Sequence, residues 1–442
     1  MIILLLCAII SCVLYLTAPS LYSHSFCLGN LVVFIVSSFV MLRKNCKYTF
    51  MKFEFFFLFS FFFTNIIYAI VYYPINPYFF LFNLPFNENY INKGLALSVM
   101  GITFFNIGVY EKKPVDCNNF LFPHTSYYEP RKLFSLLMIF YIPSLVVALL
   151  ANAYIVDFTR SNINALLIFI VFYLLFALFS NNSNTWKVSI FLKSSKSFGI
   201  FVLLIFYIFA YMVIGSRTIP LRLGLLVLFL YSVFIANIPK KWVVLSLIGG
   251  SVLMMTVSVF RARGEFDTST ITQFWDVGMD LTINNRSLYV LMEEADLHGI
   301  NFGKTMLSSI AAIVPFGQSL LLELTGWTMK DINSANFVTD LYFSTQDSSI
   351  EQYGLGTNII GDVYIAFGTI GVILYMFLLG KLLSFLYSGF SQGSTLKVFC
   401  YALIFIEVIY LARASSLEFC RNIAWGFLWL YIFNKIINNR KI

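Results

Sequence analysis

RARGEFDTSTITQFWDVGMDLTINNRSLYVLMEEADLHG, residues 261–299, opens a polar island in a chain that is otherwise a succession of apolar runs. From Arg261 to Tyr353 the island holds twelve of the 21 Asp and Glu residues but only five of the 29 Lys and Arg. Cytoplasmic loops of membrane proteins gather Lys and Arg, so an acidic insert between apolar runs belongs on the opposite, outward face. The rest of the composition agrees. Hydrophobic residues make up 59% of the chain and charged ones 11%, whereas a soluble domain is about 25% charged. The chain reads as an all-α polytopic membrane protein.

A helix crosses the hydrocarbon core with about 20 predominantly apolar residues. Roughly twelve segments qualify, near 2–19, 27–42, 54–73, 94–110, 133–153, 163–180, 199–215, 219–238, 242–260, 358–380, 396–412 and 422–437. Taking alternate loops puts Arg43, Lys44, Lys47 and Lys52 on one face with the basic residues of 112–132, 187–196, 240–241, 381–397 and 435–441. That face then carries eighteen basic residues against four acidic ones, Glu54, Glu111, Asp116 and Glu129. It is therefore the cytoplasmic one, with both termini on it. The N-terminal MIILLLCAII has no basic leader region and no small-residue cleavage site after it, so a retained first span is expected. One membrane domain, 1–442, is expected to carry 261–357 as a large outward loop between its ninth and tenth spans. Within it the apolar stretch 305–324 contains Pro315, Gly317 and Gln318 and suits a helix lying in or dipping into the interface more than a thirteenth span.

Several function classes fall away. The formal charge of +8 is spread over short loops as a topology signal, so no nucleic-acid patch is expected. The seven cysteines are scattered, without CxxC or a nearby His, and suggest neither a disulfide framework nor a zinc site. Asp276 with Asp280, and Glu293 with Glu294 and Asp296, fit a solvated helix face better than a metal site. No phosphate-binding loop, dinucleotide fingerprint or serine-nucleophile motif is present, and neither metal nor cofactor is expected.

Chemistry is expected at the outward boundary, where arginine is normally depleted. Arg217 ends the seventh span and Arg222 lies one turn into the eighth. Arg261 and Arg263 leave the ninth, Arg286 follows in the loop, and Arg413 and Arg421 bracket the last outward turn. Each could snorkel to lipid headgroups. As a set, they suit bidentate binding of phosphate oxygens whose charge grows as a bond to phosphate breaks. His298, Glu265, Asp267 and Glu418 are candidate general bases for an attacking hydroxyl; a solvated surface position is the plainer reading of His298, and solvated loop charge or pairing with Arg261 and Arg263 that of Glu265 and Asp267. Glu407 and Asp362 are carboxylates inside spans, a costly placement that calls for a partner or a function.

At these residues the chain resembles the bacterial O-antigen polymerases of the Wzy type. The resemblance lies in IGSRT (214–218), RARGEF (261–266), PFGQS (315–319), GLGTNIIGDVYIAFGTIGV (354–372) and RASS (413–416). It implies a membrane glycosyltransferase of GT-C-like architecture in the inner membrane. Such an enzyme transfers a growing glycan from undecaprenyl diphosphate to the non-reducing end of the next lipid-linked repeat unit at the periplasmic face. It further implies a chain-length regulator as partner, membrane lipids as surroundings, and Gln318, Gly356, Asn358 and Asp362 as sugar contacts beside the arginines. The first outward loop, SLYSHSF (20–26), lacks the acid of metal-dependent relatives, so metal-independent transfer is expected. An O-antigen ligase or a lipid-linked oligosaccharide flippase would share the broad topology.

Overall fold

The computed structural model describes residues 1–75, 84–110, 218–234, 237–261, 282–344, 354–392 and 394–438, and every regular element among them is helical. The longer helices are α1 (Ile2–Leu16), α2 (His24–Asn45), α3 (Phe53–Asn65), α4 (Tyr90–Val109), α5 (Thr218–Phe234) and α6 (Lys240–Arg261). They continue with α7 (Asn284–His298), α8 (Gly317–Thr325), α9 (Ser334–Ser344), α10 (Ile359–Tyr387), α11 (Thr395–Phe405) and α12 (Glu418–Asn438). Nine of the twelve expected spans coincide with these helices; 133–153, 163–180 and 199–215 lie outside the described residues. By length and composition His24–Asn45, Phe53–Ile75 and Ile359–Gln392 could each cross a membrane, while Ile2–Leu16, Pro220–Val233 and Leu396–Phe405 are shorter apolar helices.

Helix α4 is the central post. Seventeen of its twenty residues are buried, including Asn92, Ser98 and Asn106, so it faces protein on all sides, with α1, α2, α7 and α10 packed around it. Its closest neighbour is α10. A methyl group on Gly108 would stand 2.3 Å from the Phe377 carbonyl, and one on Gly380 would stand 2.5 Å from that of Phe105. Bare backbones therefore touch at this crossing, as small residues permit between membrane helices.

The basic loops assemble at one end of the bundle. Lys44 Nζ donates to the Tyr110 hydroxyl at 3.3 Å and Asn45 Nδ2 to the Val109 carbonyl at 2.8 Å. Lys52 stands 3.9 Å over the Tyr387 ring, Lys240 4.8 Å over Phe50, and the Phe53 amide donates to Tyr401. At the other end Asn92 Nδ2 donates to the carbonyls of Pro19 and Leu21, and Lys93 pairs with Asp296 of the island at 2.7 Å.

The span expected over 358–380 is not a straight helix: it breaks at Gly368. That glycine has φ 66° and ψ −162°, a conformation essentially reserved for glycine. A Cβ on Gly101 would meet both Ile360, at 3.0 Å, and Val372, at 3.1 Å. On a straight helix those two residues would be about 18 Å apart. The two arms of α10 therefore lie side by side. The rising arm runs from Asn358, which caps it by accepting from the Ile360 and Gly361 amides, up to Tyr364, whose hydroxyl reaches Asp296 at the outward end. The falling arm passes Gly101 and Gly108 to the basic end. At the reversal the carbonyl of Ile365 accepts the Asn301 amide at 2.9 Å, which satisfies a backbone group the broken helix leaves open.

The island is not all surface. Its helix α7 starts deep, with every residue from Asn284 to Met292 buried, and climbs to an exposed His298. The 305–324 stretch is no continuous span. It forms a short helix over Leu307–Ala311, a turn in which Phe316 has φ 60°, and α8, which buries no residue.

Candidate functional site

Where the rising arm of α10 begins, α3, α4, α7 and two irregular segments meet in a polar seam. Asn358 Nδ2 donates to Asn65 Oδ1 at 2.8 Å and to the Asn284 carbonyl at 3.3 Å. Ser98 reaches the same Asn65 oxygen at 3.4 Å, Asn285 Nδ2 donates to the Asn65 carbonyl at 3.0 Å, and Asn284 Nδ2 to the Leu355 carbonyl at 2.8 Å. Fully buried amides need partners, since each unmet group costs about 1–3 kcal/mol; here they supply one another only in part, for Asn65 Nδ2, Asn284 Oδ1 and Asn285 Oδ1 are buried without a partner among the described residues. One more turn up the arm, Asp362 accepts from Ser334 of α9 and from Ser416.

Two loops run together above the seam. The Ile359 amide donates to the Ala412 carbonyl at 3.3 Å. Gly356, with φ +78°, would bring an added Cβ to 2.9 Å from Asn284 Nδ2 and 3.4 Å from the Arg413 carbonyl, so glycine is required by space and by backbone angle. GLGTN and RASS, far apart in sequence, thus form one rim. About seventeen residues of mostly helical chain separate Thr395 at the basic end from Ala412. At roughly 1.5 Å per residue that is at most about 25 Å, which sets the rim well away from the basic end of the bundle.

The candidate arginines divide. Arg222 pairs with the buried Glu407, whose other oxygen accepts from Asn422 Nδ2 at 2.6 Å. Arg421 pairs with Glu418 at 3.2 Å. Arg286 is fully buried; its Nε donates to the Tyr68 hydroxyl at 3.3 Å, and its guanidinium stands 5.4 Å over the Tyr68 ring and 5.7 Å over Phe86. Desolvated cation–aromatic contacts of this kind contribute about 2 kcal/mol. Arg413, on the rim, is half-buried and forms no ion pair with a described residue. Arg217, Arg263, Glu265 and Asp267 lie outside the described residues, and Arg261 ends α6.

The other predicted residues are dispersed or turned inward. The His298 side chain is 68% exposed and sits 3.1 Å from Glu294. Fourteen helical residues, about 21 Å, separate it from Asn284, so the structure does not bring it to Arg413. Gln318 Nε2 donates to the Ser308 carbonyl and hydroxyl, and the same hydroxyl accepts from Asn333, the chain neighbour of Ser334. Asn358 and Asp362 are buried and engaged with protein. The acidic run of α7 is shared among separate partners: Glu293 accepts from Asn87, Glu294 meets His298, and Asp296 binds Lys93 and Tyr364. Burial pushes the Asp296 carboxyl up, but hydrogen bonds from Lys93 and Tyr364 outweigh it and hold the group below the usual carboxylate range. Sequence reasoning did not single out Asn65, Asn284, Asn285 or Ser334, and reached Ser415 and Ser416 only as part of RASS (413–416). Their only signal is polarity inside or beside apolar segments.

An all-helical membrane protein with a buried amide and carboxylate seam beneath an acidic island is the class that fold and site define. A family model described as O-antigen polysaccharide polymerase Wzy matches residues 1–441, and the chain belongs to that family. It is an O-antigen repeat-unit polymerase, a glycosyltransferase-type membrane enzyme acting on lipid-linked oligosaccharide. No curated protein and no solved structure matches the chain.

Proposed function

We propose that the polymerase works at the rim formed by Gly354–Asn358 and Arg413–Ser416, on the periplasmic face of the inner membrane. The donor is the growing glycan on undecaprenyl diphosphate and the acceptor is the non-reducing end of the next lipid-linked unit. The acceptor hydroxyl attacks the anomeric carbon, the bond from that carbon to the diphosphate oxygen breaks, and the diphosphate leaves with the electron pair. A base removes the hydroxyl proton. Of the candidates, Glu265 is preferred, with Asp267 as the alternative, because His298 stands a helix length from the rim and Glu418 is paired with Arg421. The observation that carries this assignment is Arg413. It sits at the junction of the two loops without a carboxylate partner among the described residues, while Arg222 and Arg421 have one. A guanidinium so placed is free to bind diphosphate oxygens and to stabilise the charge that develops on them. Arg217 and Arg263 complete the proposed set, and the transfer is proposed to need no metal. Twelve spans and a GT-C-like arrangement are part of the same reading.

Loss of the gene is expected to leave lipopolysaccharide core bearing at most one repeat on a gel, and restoring the wild-type chain returns the ladder. Arg413→Ala should fail to restore it at normal protein level, with a loss of about 100-fold or more, as for removal of a charge-stabilising donor. A ladder of normal length from Arg413→Ala would remove Arg413 from the site.

A further inference from the structure

Asp362 lies one turn into the rising arm and is fully buried. Its Oδ1 accepts the Ser334 hydroxyl at 2.6 Å, and its Oδ2 accepts both the backbone N–H and the hydroxyl of Ser416 at 2.7 Å. The Ser415 hydroxyl stands 3.5 Å from the same Oδ2. Ser334 also meets the Thr357 hydroxyl at 3.0 Å, and Tyr375 of the falling arm donates to the Ser416 carbonyl at 2.5 Å. One carboxylate thus gathers the island helix α9, the rising arm and the turn that carries Arg413. With protein donors already crowded on Oδ2, a sugar hydroxyl has no place there.

We propose that Asp362 is a positioning residue of the polymerase. It fixes the Arg413 turn against the rising arm and ties that turn to the island, so that guanidinium and island keep one geometry. The proposal rests on reading Arg413 as the arginine that meets the diphosphate. A carboxylate is suited to the task because every group facing it is a donor. Asparagine cannot accept on both sides: its NH2 turned toward Ser416 would face a backbone N–H, and turned toward Ser334 it would force that hydroxyl to accept and to donate to Thr357 instead.

The test uses the purified full-length enzyme and lipid-linked repeat units. Asp362→Asn should lower kcat by about 10- to 100-fold, as expected when a catalytic group is misplaced by about 1 Å, while KM stays unchanged. Ser416→Ala, which keeps the backbone N–H, should lower kcat in the same sense by less. Combined with Arg413→Lys, Asp362→Asn should add no further loss, because both changes act through one guanidinium. A raised KM at unchanged kcat would make Asp362 a substrate ligand and overturn the proposal, as would additive losses. Should Asp362→Asn fail to accumulate, Ser416→Ala combined with Arg413→Lys separates the same two outcomes. Wild-type kcat in both Arg413→Lys and Arg413→Ala would sink the reading of Arg413 and the proposal with it. Wild-type kcat in Asp362→Asn beside an impaired Arg413→Lys would sink this inference alone.

Discussion

Arg222 and Glu407 look alike in sequence to Arg413 and Asp362, one arginine and one acid near the outward boundary, yet they are bound to each other. Removing one member of a buried ion pair strands the other charge and costs about 3–5 kcal/mol. Arg222→Ala is therefore expected to lower the unfolding midpoint in detergent and the protein yield. Arg222→Ala combined with Glu407→Ala should recover much of both, and an unchanged midpoint in the single variant would return Arg222 to the catalytic candidates. That the two acids inside apolar segments needed explaining was legible from the sequence, because a charge in lipid demands a partner. Which partner each takes was not. Asp362 is met by serines, and Asn65, Asn284 and Ser334 are neutral groups with no periodic signature, so the seam they build could be recognised only in three dimensions.

At the level of elements, α10 departs furthest from its sequence. Residues 358–380 are apolar apart from Asn358, Asp362 and the hydroxyls of Tyr364, Thr369 and Tyr375, so one continuous span is the natural expectation. The reversal depends on a backbone angle at Gly368 that composition does not encode. Gly368→Ala is expected to cost about 1–3 kcal/mol from the strained conformation alone. Because the rising arm carries Asn358 and Asp362, polymer length should fall with the midpoint. If alanine there leaves both midpoint and ladder as in the wild type, the two arms are not held as described. By contrast α7 did announce itself in part. LYVLM (288–292) is an apolar run inside the acidic island that the sequence reading did not use, and the structure draws it inward, where Gly361 packs against Leu288 and Leu291.

On the scale of the whole molecule, charge was the most readable quantity. Of the loops that the sequence groups by their Lys and Arg, those with described residues meet at one end of the bundle, around Asn45, Lys52 and Val109, and the island's Asp296 lies at the other. In a background without the seven native cysteines, Asn89→Cys should react with a membrane-impermeant maleimide added to spheroplasts, and Lys240→Cys should react only after the membrane is opened. The reverse pattern would invert the assigned faces.

The seam also bears on how the chain is made. Asn358 and its partner Asn65 are 293 residues apart. At roughly 5–20 residues per second, about 15–60 s of synthesis separates them. During that time α3 sits in the membrane with its terminal amide still lacking the Asn358 contact. Asp362 in turn waits for Ser416. The seam therefore waits for the turn at 412–416 to emerge and complete a structure begun with the third helix, and a ribosome that stops before Ser416 leaves the clamp unclosed.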